Sequence, residues 1–319
     1  MKVLKKIILF ADTGIDDAIS IIYALQNPDL DVLAIVAGYG NTDRDKSARN
    51  AAYLLELAGR KEIPIIAGST RPLSGQIPEF FPDIHGAEGL GPIVPPISSN
   101  RFKNRTNFSL LFEIIKENRN DVTIVNVGRC TSLAIAWYLS PSVMSLVKET
   151  YIMGGAFLEP GNVTEVAEAN FFGDPIAANF VAQNAPNLTI IPLNVTRKAI
   201  LTPALVNYID SVASTPLQQI IKPILDFYYE AYQELEPGIS GTPQHDLAAV
   251  MASLQIPGLF IYTSKQVKVE YKEGFADGLS IADFRPGAEE CSGTGCVKIA
   301  TDINENIFIA NTLRILTRR

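Results

Sequence analysis

The chain has 319 residues, 47% of them apolar and 19% charged, with slightly positive mean hydropathy, which describes a globular chain able to bury a large core and excludes a disordered one. A formal net charge of −7 with no basic block argues against DNA or RNA as a partner and favours a neutral small molecule. No apolar run is long enough to span a bilayer: the longest, 247–262, is interrupted by Ser253, Gln255, Pro257 and Gly258, so no membrane association is expected.

In chain order, Lys2, Lys5 and Lys6 precede the apolar run 7–11, a superficial likeness to a signal peptide. The run is short, enters an acidic cluster at once and lacks a small-residue cleavage site, so a cytoplasmic address is expected. Strands are expected at 6–11, 31–37, 63–67, 122–127, 149–153 and 188–193, each a short continuous apolar run of the kind parallel strands show when both faces are covered. Between them, 43–60 and 107–118 carry apolar residues at helical spacing. Asp174-Pro175, Thr202-Pro203 and Thr215-Pro216 each set an N-cap residue before a proline at the first helical position. Strands at 266–271, 277–283 and near 295–300 then precede a final helix at 304–316. The alternation predicts an α/β fold, an open, doubly wound, mostly parallel sheet flanked by helices in the Rossmann-like manner, with a small β-rich addition near the C-terminus. No internal repeat or linker divides the chain, so one domain over 1–319 is expected. Cys130, Cys291 and Cys296 have no metal-ligand spacing, and their odd number argues against a disulfide framework.

Directly after the first strand, Asp12-Thr13-Gly14-Ile15-Asp16-Asp17 places three carboxylates between two apolar segments. Like charges repel, and an unpaired buried carboxylate costs several kcal/mol, on the order of ~5. Asp16 or Asp17 could cap the following helix and Asp12 could serve a turn, but one helix start does not need all three. Ligands in open α/β sheets bind beyond the carboxyl ends of the strands, where Asp12, Asn41 and Val127 fall. The irregular stretches 73–100 and 234–246 carry the chain's only two histidines, His85 and His245, and the second leads into Asp246. A hard divalent cation held by carboxylate and carbonyl oxygens accounts for such a convergence.

The string Asp12–Ala18 resembles the DxDPGxDDA signature of the inosine–uridine nucleoside hydrolase family. The resemblance continues in Gly40-Asn41, HGAEGLG from His85, MGG from Met153, GNVTEVAEAN from Gly161, His245-Asp246 and GLSIADFR from Gly278. It implies a calcium-dependent N-ribohydrolase that splits ribonucleosides into base and ribose, assembled as a homotetramer or homodimer. By that resemblance Asp12, Asp17, Asp246 and the Val127 carbonyl hold Ca²⁺, and Asp12 activates the attacking water. Asp16, Asn41 and Asn170 meet the ribose 2′- and 3′-hydroxyls, while Asn162 and Glu168 meet the 5′-hydroxyl. His245 protonates the leaving base, His85 and Tyr232 line the base pocket, and Met153 and Phe171 are either substrate contacts or core. Carboxylates around the sugar suit a transition state with oxocarbenium character.

Phe10 stands where the family usually has aspartate. That departure supports one alternative, a nucleoside-binding protein with impaired catalysis. A second alternative, a haloacid-dehalogenase-type phosphotransferase, needs an Asp-x-Asp pair after the first strand, which Phe10 breaks.

Overall fold

Alternation along the first strand decides how the core is divided. In β1 (Lys5–Ala11), Ile7, Leu9 and Ala11 face one apolar cluster, while Ile8 and Phe10 face another on the opposite side. Both faces are covered, so the strand reads as a continuous apolar run. The structure, a computed structural model, describes residues 3–96, 107–293 and 295–318; Lys2 and residues 97–100 of the first irregular stretch lie outside the described residues.

The further strands are β2 (Leu30–Ala37), β3 (Ile65–Ala67), β4 (Val122–Asn126), β5 (Glu149–Met153), β6 (Leu188–Ile191), β7 (Ile200–Leu201), β8 (Thr242–Pro243), β9 (Phe260–Lys265), β10 (Lys268–Val269), β11 (Ser280–Ile281) and β12 (Val297–Ile303). Eight of them form one sheet in the order β3-β2-β1-β4-β5-β6-β12-β9, parallel throughout except for β9 at the edge. The chain winds outward from β1 to β3, then returns to place β4 on the other side of β1. The switch point therefore lies between β1 and β4, and both strands end where Asp12 and Val127 begin the loops. The helix Ile15–Gln26 and the helix His245–Ser253 cover one face, and the helices Ser109–Glu117, Thr131–Leu139 and Pro175–Asn184 cover the other.

Helix starts follow the caps expected of them. Asp174, Thr202 and Thr215 accept from the backbone N–H of Ala177, Leu205 and Gln218, each ahead of a first-turn proline. The C-terminal β region differs from expectation. The segment 247–262 conceals the start of β9, whose half-exposed face suits an edge strand. β12 joins the main sheet beside β6, the pair β10–β11 stands apart as an addition, and β7 pairs with β8 in a second separate ribbon. The expected strand 188–193 stops at Ile191, because a short helix, Leu193–Thr196, begins after Pro192. The cysteine reading is corrected as well: Cys291 and Cys296 form a disulfide across the loop before β12, and Cys130 is a buried free thiol.

Phe10 is a core residue, 2% exposed, packed with Ile8, Ala34, Val36 and Ile124. Phe10→Ala should cost about 3–5 kcal/mol of stability. A fall in the urea midpoint at unchanged slope checks this, and a midpoint equal to that of the wild type contradicts the packing described.

Candidate active site

The loop after β1 is folded on its own carboxylates. Asp17 accepts from the backbone N–H of Asp12 at 3.0 Å and of Gly14 at 2.9 Å, which closes the turn that opens the helix Ile15–Gln26. Asp12 turns toward β2: its Oδ2 accepts from the Asn41 N–H at 2.7 Å, and the Asn41 amide donates to Asp17 Oδ2 at 2.9 Å. Asp246, in the first turn of the helix His245–Ser253, meets this loop from the neighbouring helix. Asp16, Asp17 and Asp246 each bring one carboxylate oxygen within 4.8 Å of the others. Asp12 stands beside this trio, so the structure's closest group contains Asp16 in the place expected for Asp12. Asp16 Oδ1 and Asp246 Oδ2 are buried with no hydrogen-bond partner among the described residues.

Such crowding out of water disfavours ionisation. Burial, reinforced by the Asp17 charge, raises Asp12 well above the carboxylate range and pushes Asp16 up to about 8. Burial together with Asp16, Asp17 and Asp12 raises Asp246 in the same way. Asp17 rises less, because the N–H groups of Gly14 and Asp12 hold its charged form. The Arg129 guanidinium opposes the rise at Asp12.

The long proline- and glycine-rich loop brings His85 to the cluster. Its Nδ1 accepts from the Ile15 N–H at 3.1 Å and lies 4.0 Å from Asp16 Oδ1. The turn that follows uses Gly86 at φ 81°, where a side chain would also strike Gly91. Tyr228 lies 5.5 Å from the His85 ring and 4.8 Å from the Tyr232 ring, centroid to centroid. Tyr232 Oη is 3.0 Å from His245 Nε2, and Thr196 Oγ1 is 2.7 Å from His245 Nδ1. Burial and the Arg197 charge push His245 down to about 3, and burial, Arg129 and His245 do the same to His85. Both rings are therefore neutral near pH 7.

On the other flank, Asn170 donates through Nδ2 to the Val127 carbonyl at 2.7 Å and the Met153 carbonyl at 3.2 Å, with Met153 Sδ at 3.4 Å. Glu168 caps the short helix Ala169–Phe172, accepting from the N–H groups of Asn170, Gly155 and Phe171 at 2.8, 2.9 and 3.1 Å. Asn162 is exposed, and its Oδ1 accepts from the Ala169 N–H at 3.0 Å. Phe171 is placed as core: it is 1% exposed and packs in the same cluster as Phe10, against Gly154 and Gly155. Three residues at the site carry no expectation from sequence. Tyr228 could have been found from its i, i+4 spacing to Tyr232 on the helix Ile221–Leu235, and Arg129 from its place directly beyond β4. Thr196, in a one-turn helix after β6, gives no such signal.

Fold and site together define an α/β protein that gathers carboxylates, asparagines and histidines from many loops at the carboxyl edge of a parallel sheet. Residues 7–310 match the family described as inosine-uridine preferring nucleoside hydrolase. The chain is 33% identical to uridine nucleosidase 1 of Arabidopsis thaliana, over 88% of this chain and 82% of that protein. It is 33% identical to the inosine-uridine preferring nucleoside hydrolase of Crithidia fasciculata, over 92% and 93% of the two chains. A solved plant nucleoside hydrolase superposes with a TM-score of 0.91 at 30% identity, covering 99% of each chain. The chain belongs to the inosine-uridine preferring nucleoside hydrolase family, and is an enzyme acting on the N-glycosyl bond of ribonucleosides.

Glu168→Ala should leave the N–H groups of Gly155, Asn170 and Phe171 without their acceptor and remove a helix cap, a loss of about 2–4 kcal/mol. Glu168→Gln keeps one acceptor oxygen and should lose less. Chemical denaturation of both variants checks this, and equal stability of Glu168→Ala and the wild type contradicts it.

Proposed function

We propose that this enzyme hydrolyses ribonucleosides to base and ribose in a calcium-dependent reaction at the Asp12–Asp17–Asp246 edge. The observation that carries the reading is the pair of buried, partnerless oxygens, Asp16 Oδ1 and Asp246 Oδ2, inside a group of three converging carboxylates. Among the described residues no cation of the protein forms an ion pair with them, apart from the 4.0 Å approach of neutral His85 to Asp16. All the donors are oxygens, the set that calcium prefers. Asp12, Asp17, Asp246 and the Val127 carbonyl are assigned as its ligands. The Val127 carbonyl accepts one hydrogen bond from Asn170 and retains a second lone pair. When bound, the cation supplies positive charge that lets these carboxylates ionise and makes water more acidic.

The chain's own groups do the rest. Asp12, held at Oδ2 by the Asn41 N–H at 2.7 Å and met at Oδ1 by only a long 3.5 Å contact from the Asn41 amide, is assigned as the base that takes a proton from the attacking water. Asp16, Asn41 and Asn170 receive the ribose 2′- and 3′-hydroxyls, and Asn162 with Glu168 the 5′-hydroxyl. Negative charge from the aspartates favours the cationic sugar of the transition state. His85 and Tyr232 line the space for the base, joined by Tyr228. His245 is neutral in the free enzyme; the negative charge gathering on the departing base favours uptake of a proton from solvent at its ring, and the imidazolium, held between Tyr232 and Thr196, gives that proton to the base and returns to neutral.

Two measurements test this. Ribose release from inosine and uridine should stop on exhaustive chelation and return with added calcium; turnover that survives chelation contradicts the metal assignment. His245→Ala should lower turnover of both nucleosides by about 10²–10⁴-fold, the usual range for general acid catalysis. The loss should be much smaller on p-nitrophenyl riboside, whose leaving group is a stable anion. Equal losses on all three substrates contradict the role of His245 as acid.

A further inference from the structure

Directly beyond β4 the chain buries a guanidinium for which the scheme above has no use. Arg129 is 8% exposed, and among the described residues its nitrogens have no carboxylate oxygen within 4 Å. A guanidinium carries five N–H donors, yet Arg129 spends one described hydrogen bond, Nη1 to Asn170 Oδ1 at 3.2 Å. Its flat group lies over Phe81, 5.8 Å from the ring centroid. It occupies a slot kept open by Gly173, where a side chain would overlap the guanidinium, and the Tyr39 hydroxyl fixes that glycine by donating to its carbonyl at 3.1 Å.

The geometry ties Arg129 to both asparagines assigned to the sugar. The Asn170 amide could turn either way in its pocket, but a flipped amide would aim its two N–H donors at a cation. With Oδ1 held by Arg129, Nδ2 must face the Val127 and Met153 carbonyls. On its other side, Phe81 donates its backbone N–H to the Asn41 carbonyl at 3.2 Å. One side chain thus sits between the loops that present Asn170 and Asn41.

We infer that Arg129 is a positioning residue for ribose recognition, fixing the orientation of the Asn170 amide and the place of the Phe81–Asn41 loop. The inference rests on the reading above that Asn170 and Asn41 meet the 2′- and 3′-hydroxyls. Planarity matters as well as charge, because a lysine ammonium can neither stack flat on Phe81 nor fill the slot at Gly173. Behind the guanidinium, a cavity of about 330 Å³ lined by Tyr39, Phe81, Arg129, Phe172 and Gly173 leaves a way in for a small cation.

The test compares wild type, Arg129→Ala, Arg129→Lys and Gly173→Ala in calcium-containing buffer, on uridine and 2′-deoxyuridine, with melting temperatures followed in parallel. Arg129→Ala should lower kcat/KM on uridine by about 10–100-fold, as loss of a group that orients a binding residue does. The loss on 2′-deoxyuridine should be smaller, so the ratio between the two substrates narrows. Millimolar guanidinium chloride, below any denaturing level, should restore part of the uridine activity of Arg129→Ala and none to the wild type. Arg129→Lys should recover less than half of the loss. Gly173→Ala, which alters no group assigned to the substrate, should shift the ratio in the same direction by displacing the guanidinium. Equal losses on both substrates, or no response to guanidinium, would overturn the inference. A wild type inactive on both uridine and inosine would instead overturn the reading of the reaction. The same comparison made on uridine binding by calorimetry would then decide the role of Arg129: weaker binding relieved by guanidinium supports it, and unchanged binding overturns it.

Discussion

Four aspartates held out of water within one turn of the sheet edge form the constraint on which the rest depends. Their mutual repulsion and desolvation are costs that folding alone does not recover. The backbone answers part of the problem, since the N–H groups of Asp12 and Gly14 satisfy Asp17 and that of Asn41 satisfies Asp12. Asp16 and Asp246 keep oxygens that nothing among the described residues satisfies. The carboxylates left unsatisfied by the protein face the place where positive charge is needed. On the proposed reading that charge comes from calcium in the resting enzyme and from the ribosyl group during reaction.

The parallel sheet is what makes this gathering affordable in sequence terms. Because β1 and β4 are neighbours at the switch point, the loops after them meet without either being long. Asp246 and His245 arrive instead on a helix start that packs beside the helix Ile15–Gln26. His85 reaches the site from one irregular stretch, accepting from the Ile15 N–H, and His245 ends the other, between Tyr232 and Thr196.

Much of this was legible in the residues. Continuous apolar runs mark strands covered on both faces, and β1 to β6 fall within a few residues of where those runs lie. Caps followed by proline mark helix starts, because both features act locally. The edge strand β9 was hidden because its half-exposed pattern continues an apolar helical segment. The Cys291–Cys296 pair was hidden because an odd count says nothing about which two cysteines meet. At the site, the acidic string is plain in the sequence, but which carboxylates lie closest depends on side-chain direction, and Asp16 is grouped with Asp17 and Asp246, a set in which the resemblance assigns Asp12. Phe10 is explained by burial: its ring belongs to the core beneath the site, on the face of β1 opposite Leu9 and Ala11. Arg129 stood at a telling place directly beyond β4, but its partners, like those of Thr196, show only in three dimensions.

On the proposed reading, the acidic edge gives up protons when it takes a cation. Burial raises Asp12, Asp246 and Asp16, the last to about 8, so burial disfavours ionising this group, and a bound cation would favour the ionised forms. Calcium titration by calorimetry at pH 7, in two buffers of different ionisation enthalpy, measures this directly. One calcium per chain is expected, with net proton release seen as a binding enthalpy that changes with the buffer, and with weaker affinity as the pH falls. Absence of binding, or binding whose enthalpy is the same in both buffers, would contradict it.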